Sequence, residues 1–465
     1  MKNMSLDKIA SAVGGKLCKC NDTKTNAQGV VFDNRLIEKD YIFIAIPGER
    51  VDGHSFVNKA FEDGALGCIV EKDGDYNGPY ILVDSTKQAL IDLATYYRSQ
   101  LTIPIVGIIG SVGKTSTKEM VASVLSEEFN VQKTKGNYNN DMGLPITLLS
   151  IKEEHEAAVV EMGVSDFGEM DILGAIARPD VVAFTNIGQC HLENFGTRDG
   201  ILKGKTEVLS HLNSNATVVI NMDDDKLITI GADRLPKDAK LVTYSGSSAN
   251  AKNDIAMYQA TDVANLGLEG MKAKIIGEIE ADVTIPLPGE HNVSNAMCAA
   301  AVGHTLGESV DSIVKGIAKA STIAGRSNFI KVGGVTIIDD CYNANPASVR
   351  AGLQVLGMAD GRKIAILGDM GELGEDELNL HRDLYKSVLD NKIDILLTVG
   401  ELSSSIAKAL DGENVITKSF YGDDGKEQLL EYIKPELKSG DTILVKASHF
   451  MNFPVIVNEL KESLS

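Results

Sequence analysis

An α/β protein of three domains is the fold that this sequence predicts, and three observations carry it. At about 150 residues per domain, a chain of 465 residues suggests about three domains. Short apolar runs alternate with helical stretches along most of the chain, the pattern of parallel sheets flanked by helices. Where one apolar run ends, the segment GSVGKT at 110–115 leads directly into a helix. A loop of that kind belongs at the carboxyl end of a parallel strand.

Taken in order, residues 1–100 hold β-like runs at Val30–Phe32, Tyr41–Ile46, Cys68–Val70 and Tyr80–Val83. These runs are rich in β-branched and aromatic side chains and are separated by turns. IPGERVDGH at 46–54 has the proline, glycines and charges of a surface loop. Leu90–Leu101 reads as a helix and Pro104 opens the next strand, so a boundary falls near residue 101. The second region has strands at Ile105–Ile109, Ala157–Glu161, Val181–Asn186 and Thr217–Asn221. The stretch 245–290 is less regular, with alternation at Lys272–Ile276 and Asp282–Ile285, and is expected to be an insertion or a sheet edge. Small residues then mark a helix over 291–307. The third region begins near residue 325, with strands at Val335–Asp339, Lys363–Leu367, Ile393–Val399 and Thr442–Val445. Glu161, Asn186, Asp339, Asp340 and Asp369 follow apolar runs directly, where parallel sheets bind their ligands.

Composition excludes several classes of function. Hydrophobic residues make up 43% and charged residues 24%, the balance of a soluble globular protein. Lys and Arg total 45 against 65 Asp and Glu, a formal charge of −20. That field repels phosphate backbones at long range and argues against a general nucleic-acid binder. No apolar run approaches the ~18 residues of a membrane span, and the start MKNMSLDKIASAVGG lacks the apolar core of a secretory signal. The six cysteines form no CxxC pair and no zinc-like spacing. A cytoplasmic protein is expected, monomeric and without integral membrane contact.

IVGIIGSVGKTSTKEM at 105–120 is the sharpest local signal. Gly110 and Gly113 let the backbone turn tightly, so that several N–H groups face one anion. The helix N-terminus adds positive charge, Lys114 reaches terminal phosphates, and the Thr115 hydroxyl suits Mg²⁺. The longer GxxxxGK[ST] pattern needs glycine at 108, where this chain has Ile108, so the form here is GxxGK[ST]. Such a loop serves kinases, GTPases and ligases alike. Glu161 ends the following strand and is a natural oxygen ligand for Mg²⁺ beside Thr115. His191 stands in the loop after the next strand and is less expected at Mg²⁺; a loop histidine alone is more often structural. Lys205, in KGKTEVL, has no acceptor and cannot ligate a metal as an ammonium.

GSVGKTSTK at 110–118, GNYNNDMGLP at 136–145, EMG at 161–163, TNIGQCHLENFG at 185–196 and GEHNVSNAMCAA at 289–300 resemble the Mur ligases in order and spacing. DDCYNANPASV at 339–349, ILGDMGELGEDELNLH at 366–381 and the run at 32–60 resemble the branch that joins D-alanyl-D-alanine to UDP-N-acetylmuramoyl-tripeptide. The resemblance implies a UDP-substrate domain over 1–100, a central ATP-binding P-loop domain with a parallel sheet over 101–324, and a Rossmann-like α/β domain over 325–465. It implies an ATP-dependent, ADP-forming ligase working through an acyl phosphate, with Mg²⁺ at the loop and the ATP phosphates held by Gly110, Ser111, Val112, Gly113, Lys114, Thr115 and Ser116. Thr115, Glu161 and His191 would surround the ion. Lys205 matches a lysine that the family carbamylates, and a carbamate supplies the anionic oxygens that an ammonium lacks. Lys114, Lys205 and His191 are thus the catalytic candidates. Asn292 and Asn295 match an adenine-contacting pair, and Arg326 and Asp340 match ATP contacts from the third domain. Asn34 and Arg35 match a UDP-binding turn, and Asn139 and Asn140 match positions near the muramoyl substrate. Asn343 and Asn345 lie where the incoming amino substrate is met.

The pattern breaks at His449 and Pro454, where the family usually has arginine and glutamate, and no role is assigned there. Two other readings remain: a related ligase with another amino substrate, and an ATP-binding switch without ligase activity.

Overall fold

The computed structural model describes residues 1–465 except 2, 49, 50, 232, 233, 248, 251 and 253. Positions 49 and 50 of the expected loop 46–54 lie outside the described residues, as do 248, 251 and 253 of the stretch 245–290.

Three sheets organise the described residues. The first has five strands in the order Lys16–Cys18, Tyr80–Leu82, Gly67–Val70, Tyr41–Ile44, Gly29–Val31. Lys16–Cys18 runs antiparallel to its neighbour and the other pairings are parallel. With three residues and no fully buried side chain, that edge strand leaves no pattern to read in the sequence. The expected Tyr41–Ile46 strand ends at Ile44 instead. Its chain then turns, and the Gly53 N–H donates to the Ile46 carbonyl at 3.0 Å.

The second sheet has nine strands. From one edge they run Ala281–Ile285, Met271–Gly277, Tyr258–Asn265, Lys240–Ser245, Thr217–Asn221, Val181–Phe184, Ile105–Ile109, Ala157–Glu161, Val131–Lys133. The irregular stretch 245–290 therefore does form a sheet edge, with antiparallel pairing among its strands. The central strands are buried along their whole length, as parallel strands covered on both faces must be. Ile105–Ile109 pairs with Ala157–Glu161 on one side and Val181–Phe184 on the other. Strand order reverses around it, and the crevice beyond its carboxyl end is where such sheets hold ligands.

The helix Lys114–Leu125 follows that strand and lies against Glu290–Thr305. The small residues of the second helix permit a close approach: a Cβ on Gly303 would stand 2.7 Å from Val124 Cγ1. On the opposite face, Thr86–Gln100 belongs to a core cluster that continues from the first sheet into the second. Tyr97 donates its hydroxyl to the Ile151 carbonyl at 2.6 Å, and buried Arg98 meets Asp180 at 2.9 Å. The third sheet has six strands in the order Asn328–Val332, Val335–Asp339, Thr442–Lys446, Lys363–Gly368, Ile395–Val399, Ile416–Phe420. Its first pair is antiparallel and the rest are parallel, so its carboxyl end also gathers loops. No helix among the described residues is long and apolar enough to cross a membrane.

Behind the helix Glu290–Thr305, Glu308 is 2% exposed, and among the described residues neither carboxylate oxygen has a hydrogen-bond partner. Burial, with Glu128 and Glu127 close by, pushes its pKa up to about 7 from 4.5. The folded state thus holds more protons than the unfolded state between those values, and this group's contribution to stability falls as pH rises through that window. Glu308→Gln is expected to raise Tm at pH 8 by about 2–4 °C for each kcal/mol relieved, and by much less at pH 5. Calorimetry at both pH values tests this, and equal shifts would remove ionisation as the cause.

Candidate active site

The buried strand Ile105–Ile109 runs into Gly110, where a Cβ would stand 1.9 Å from Thr185 Oγ1. Only glycine lets the loop pass so close to the neighbouring strand. The loop is then tied to that strand's end. Ser111 N–H donates to the Asn186 carbonyl and Val112 N–H to Asn186 Oδ1, both at 3.0 Å. The Asn186 amide and the Thr185 hydroxyl return bonds to the Val112 carbonyl at 2.9 and 2.7 Å. Gly113 adopts φ +81° and begins the helix Lys114–Leu125 with no side-chain cap. First-turn amides have no acceptor inside a helix and sit at its positive end, so this loop presents an anion site. Lys114 Nζ donates to the Gly110 carbonyl at 2.9 Å and stays at the mouth of the same loop.

Glu161 ends the adjacent strand and is 2% exposed. The Thr115 hydroxyl donates to Oε2 and the Asn139 amide to Oε1, each at 2.8 Å. Among the described residues this buried carboxylate meets neutral donors and forms no ion pair, a setting that suits a hard divalent cation. Lys205, at the end of the helix Arg198–Lys205, is 0% exposed, and its Nζ has no hydrogen-bond partner among the described residues. Burial lowers its pKa to about 8, opposed by Cys190 and assisted by repulsion from Lys114. His191 sits in the left-handed region at φ +53° and meets Glu372 at 2.6 Å. Burial lowers its pKa, Glu372 opposes that, and Lys205 and Lys114 add repulsion. Its contact thus runs to the third sheet's loop, rather than to Thr115 or Glu161.

That loop belongs to the second wall of one cavity of about 740 Å³. From the second sheet come Ser111, Lys114, Asn139, Asn140, Glu161 and His191; from the third come Arg326, Asp340, Tyr342, Asn343, Asn345 and Lys446. The Arg326 guanidinium lies 3.9 Å from the centre of the Tyr342 ring. Asp340 accepts from Lys446 Nζ at 2.6 Å and from Ser327 N–H at 3.0 Å. Lys446 also donates to the Asn343 carbonyl at 3.0 Å and is 2% exposed.

The remaining sequence candidates divide by position. Asn295 lines the cavity and accepts from the Thr117 hydroxyl of the loop helix at 2.8 Å. Asn292 lies behind it, donating to the Pro288 carbonyl at 2.9 Å and accepting from Asn295 at 3.0 Å. Asn140 lines the cavity while its side chain caps the turn at Gly143, 2.9 Å away. Asn345 caps the helix Pro346–Gly357 in a reciprocal box with Ser348. Asn34 and Arg35 are not in the cavity wall; the exposed Arg35 pairs with Asp33 at 2.6 Å. Sequence reasoning assigned no role to Asn186, Glu372 or Lys446. Asn186 stands among the strand-end residues named above, and the signal for Lys446 is a lone charge closing an apolar run.

Fold and site together define an α/β protein in which an anion-binding loop of one sheet faces charged side chains of another across a single cavity. The chain belongs to the Mur ligase family: the Mur ligase middle domain matches residues 108–303, and the Mur ligase, glutamate ligase domain, matches 325–449. It is 38% identical over 470 residues to the UDP-N-acetylmuramoyl-tripeptide–D-alanyl-D-alanine ligase of Bacillus subtilis (strain 168), covering 100% of this chain and 99% of that one. A crystal structure of MurF from Acinetobacter baumannii matches with a TM-score of 0.87 at 32% identity over 99% of both chains. The MurF ligase of Thermotoga maritima in complex with ADP matches with a TM-score of 0.79 at 28% identity, covering 94% of this chain and 97% of that chain.

Proposed function

We propose that this chain is an ATP-dependent, ADP-forming amide ligase that joins D-alanyl-D-alanine to UDP-N-acetylmuramoyl-tripeptide in the cytoplasm. The observation that carries the reading is the shared cavity, with Lys114 and its loop on one wall and Arg326 and Asp340 on the other. Full-length similarity to ligases of that name supports the choice of substrates.

A carboxylate does not acylate an amine at neutral pH, because its oxygen is a poor leaving group. Transfer of the γ-phosphoryl of ATP to the tripeptide carboxylate gives an acyl phosphate and ADP. The dipeptide amine then attacks the acyl carbon, and phosphate departs as the amide forms. The protein's part is positioning and charge neutralisation. The loop amides and Lys114 hold the phosphates, and Arg326 approaches from the opposite wall. Asn295 and the groups around it take the adenine end, with Asn292 holding Asn295 in place. Asn139 and Asn140 face the muramoyl end, Asn343 and Asn345 the amino substrate, and Asn34 and Arg35 a more distant uridine. Thr115 and Glu161 would hold Mg²⁺, with His191 and a carbamate on Lys205 as further ligands, and the ion would offset phosphate charge. Two walls supplied by different sheets give the third domain a reason to close: the acyl phosphate must be kept from water.

Purified protein is expected to release phosphate from ATP only when both UDP-N-acetylmuramoyl-tripeptide and D-alanyl-D-alanine are present. Release indifferent to the dipeptide would falsify the proposal. A panel of amino acceptors separates this reading from a ligase for another amino substrate.

A further inference from the structure

The chain passes from the helix Val310–Ala318 to the strand Asn328–Val332 through an irregular turn. Gly325 adopts φ +77° and Ser327 φ +47°, the latter in a region that a residue with a Cβ enters at a cost. Within the turn, Arg326 N–H donates to the Ile323 carbonyl at 3.1 Å. Three bonds tie the turn to the end of the strand Val335–Asp339 and the residues after it. Gly325 N–H donates to Asp339 Oδ2, Ser327 N–H to Asp340 Oδ1, and Tyr342 N–H to the Gly325 carbonyl, each at 3.0 Å. Arg326 lies between the two anchored amides, and its guanidinium is set over Tyr342 in the cavity wall.

The two aspartates divide the work. Asp340 lines the cavity and also binds Lys446. Asp339 is outside the cavity wall, and its Oδ1 is buried with no hydrogen-bond partner among the described residues. Its Oδ2 accepts from the turn, and the Cys341 thiol lies beside the same carboxylate. We infer that Asp339 is a positioning residue, which fixes the turn between the second and third sheets and so aims Arg326 into the cavity. The inference rests on the reading of Arg326 as a contact to the transferred phosphoryl. An arginine placed on a connection between two sheets has no rigid element of its own, and small displacements of such a group cost rate steeply.

Asp339→Ala is expected to lower kcat by about 10- to 100-fold while KM for the muramoyl tripeptide stays near its wild-type value. Asp339→Asn keeps one acceptor oxygen for Gly325 N–H and should retain most of the rate, with an unchanged Tm to show that it folds. In an Arg326→Ala background, the further loss from Asp339→Ala should shrink to less than about twofold, since the two residues act as one unit. Losses that multiply would overturn the inference, because Asp339 would then act without Arg326. Hydrogen exchange at the Gly325 amide reads the turn directly and should quicken at least about tenfold in Asp339→Ala once its acceptor is gone; unchanged exchange overturns the inference as well. If Arg326→Ala alone costs no activity, the phosphoryl reading of Arg326 fails, and exchange at Gly325 still decides whether Asp339 holds the turn.

Discussion

Lys114→Ala is expected to reduce kcat for ligation by about 10²–10³-fold, or roughly 3–4 kcal/mol of transition-state stabilisation. The expectation follows from where the ammonium sits. Its Nζ donates to the Gly110 carbonyl within the loop, and no carboxylate neutralises it among the described residues. It can therefore exchange one neutral acceptor for phosphate oxygens, which form shorter and stronger charge-assisted bonds. Among the described residues no other ammonium from the second sheet reaches the cavity wall, so the chain's charge of −20 makes this site more dependent on Lys114. Alanine at this position leaves the loop's own bonds to Thr185 and Asn186 intact, because these come from backbone groups of Ser111 and Val112. Tm should accordingly remain within a degree or so of wild type, since partly exposed side chains without tertiary partners usually change stability by less than about 0.5 kcal/mol. Phosphate release with both substrates present measures the effect. Near-wild-type ligation by the variant would remove the phosphate-loop assignment.

The parts of this fold that are legible in the sequence are those with strong local causes. Ile105–Ile109 is an unbroken apolar run ending in glycines, and the structure makes it a fully buried strand ending in a tight loop. Glu161 was readable as a strand-end carboxylate, and its proximity to Thr115 follows once the two strands are neighbours in the sheet. The edge strands of the third sheet were not readable. Asn328–Val332 and Ile416–Phe420 bury few of their side chains, so neither alternation nor apolar content marks them. Of the site, the loop motif was plain, while the groups that hold it were not. Asn186 acts through its own carbonyl and amide on a segment more than seventy residues earlier in the chain. Glu372 meets His191 only because two sheets face each other. Nothing local to either residue encodes that contact. Asn345 and Asn140 stand in motifs that suggest substrate contact, and each also holds a local turn that the sequence does not announce: Asn345 caps Pro346–Gly357, and Asn140 accepts from the Gly143 N–H.

Lys205→Ala is expected to lower ligation by at least about 10²-fold, the size of loss found when a charged group that organises an active site is removed. A fully buried ammonium with no hydrogen-bond partner is an unstable arrangement, and burial already brings its pKa down to about 8. A lysine near that value is about one-tenth neutral at pH 7, against well under a thousandth for an ordinary lysine. The neutral amine is the form that attacks CO₂; in that reaction a C–N bond would form, a proton would leave, and a carbamate anion would replace the ammonium. That replacement reverses the local electrostatics. Lys114 and Lys205 repel each other, and both depress His191; a carbamate at 205 would attract Lys114 and favour a cation nearby. Carbon-13 bicarbonate should therefore give a carbamate signal in wild-type protein that is absent from Lys205→Ala. Short carboxylic acids should restore part of the variant's rate by occupying the space with an anion. ATP turnover left intact in the variant would favour an ATP-binding switch over a ligase. Lost activity without a carbamate signal or rescue would leave the lysine essential as an amine, and the metal-ligand role would pass to Thr115, Glu161 and His191 alone.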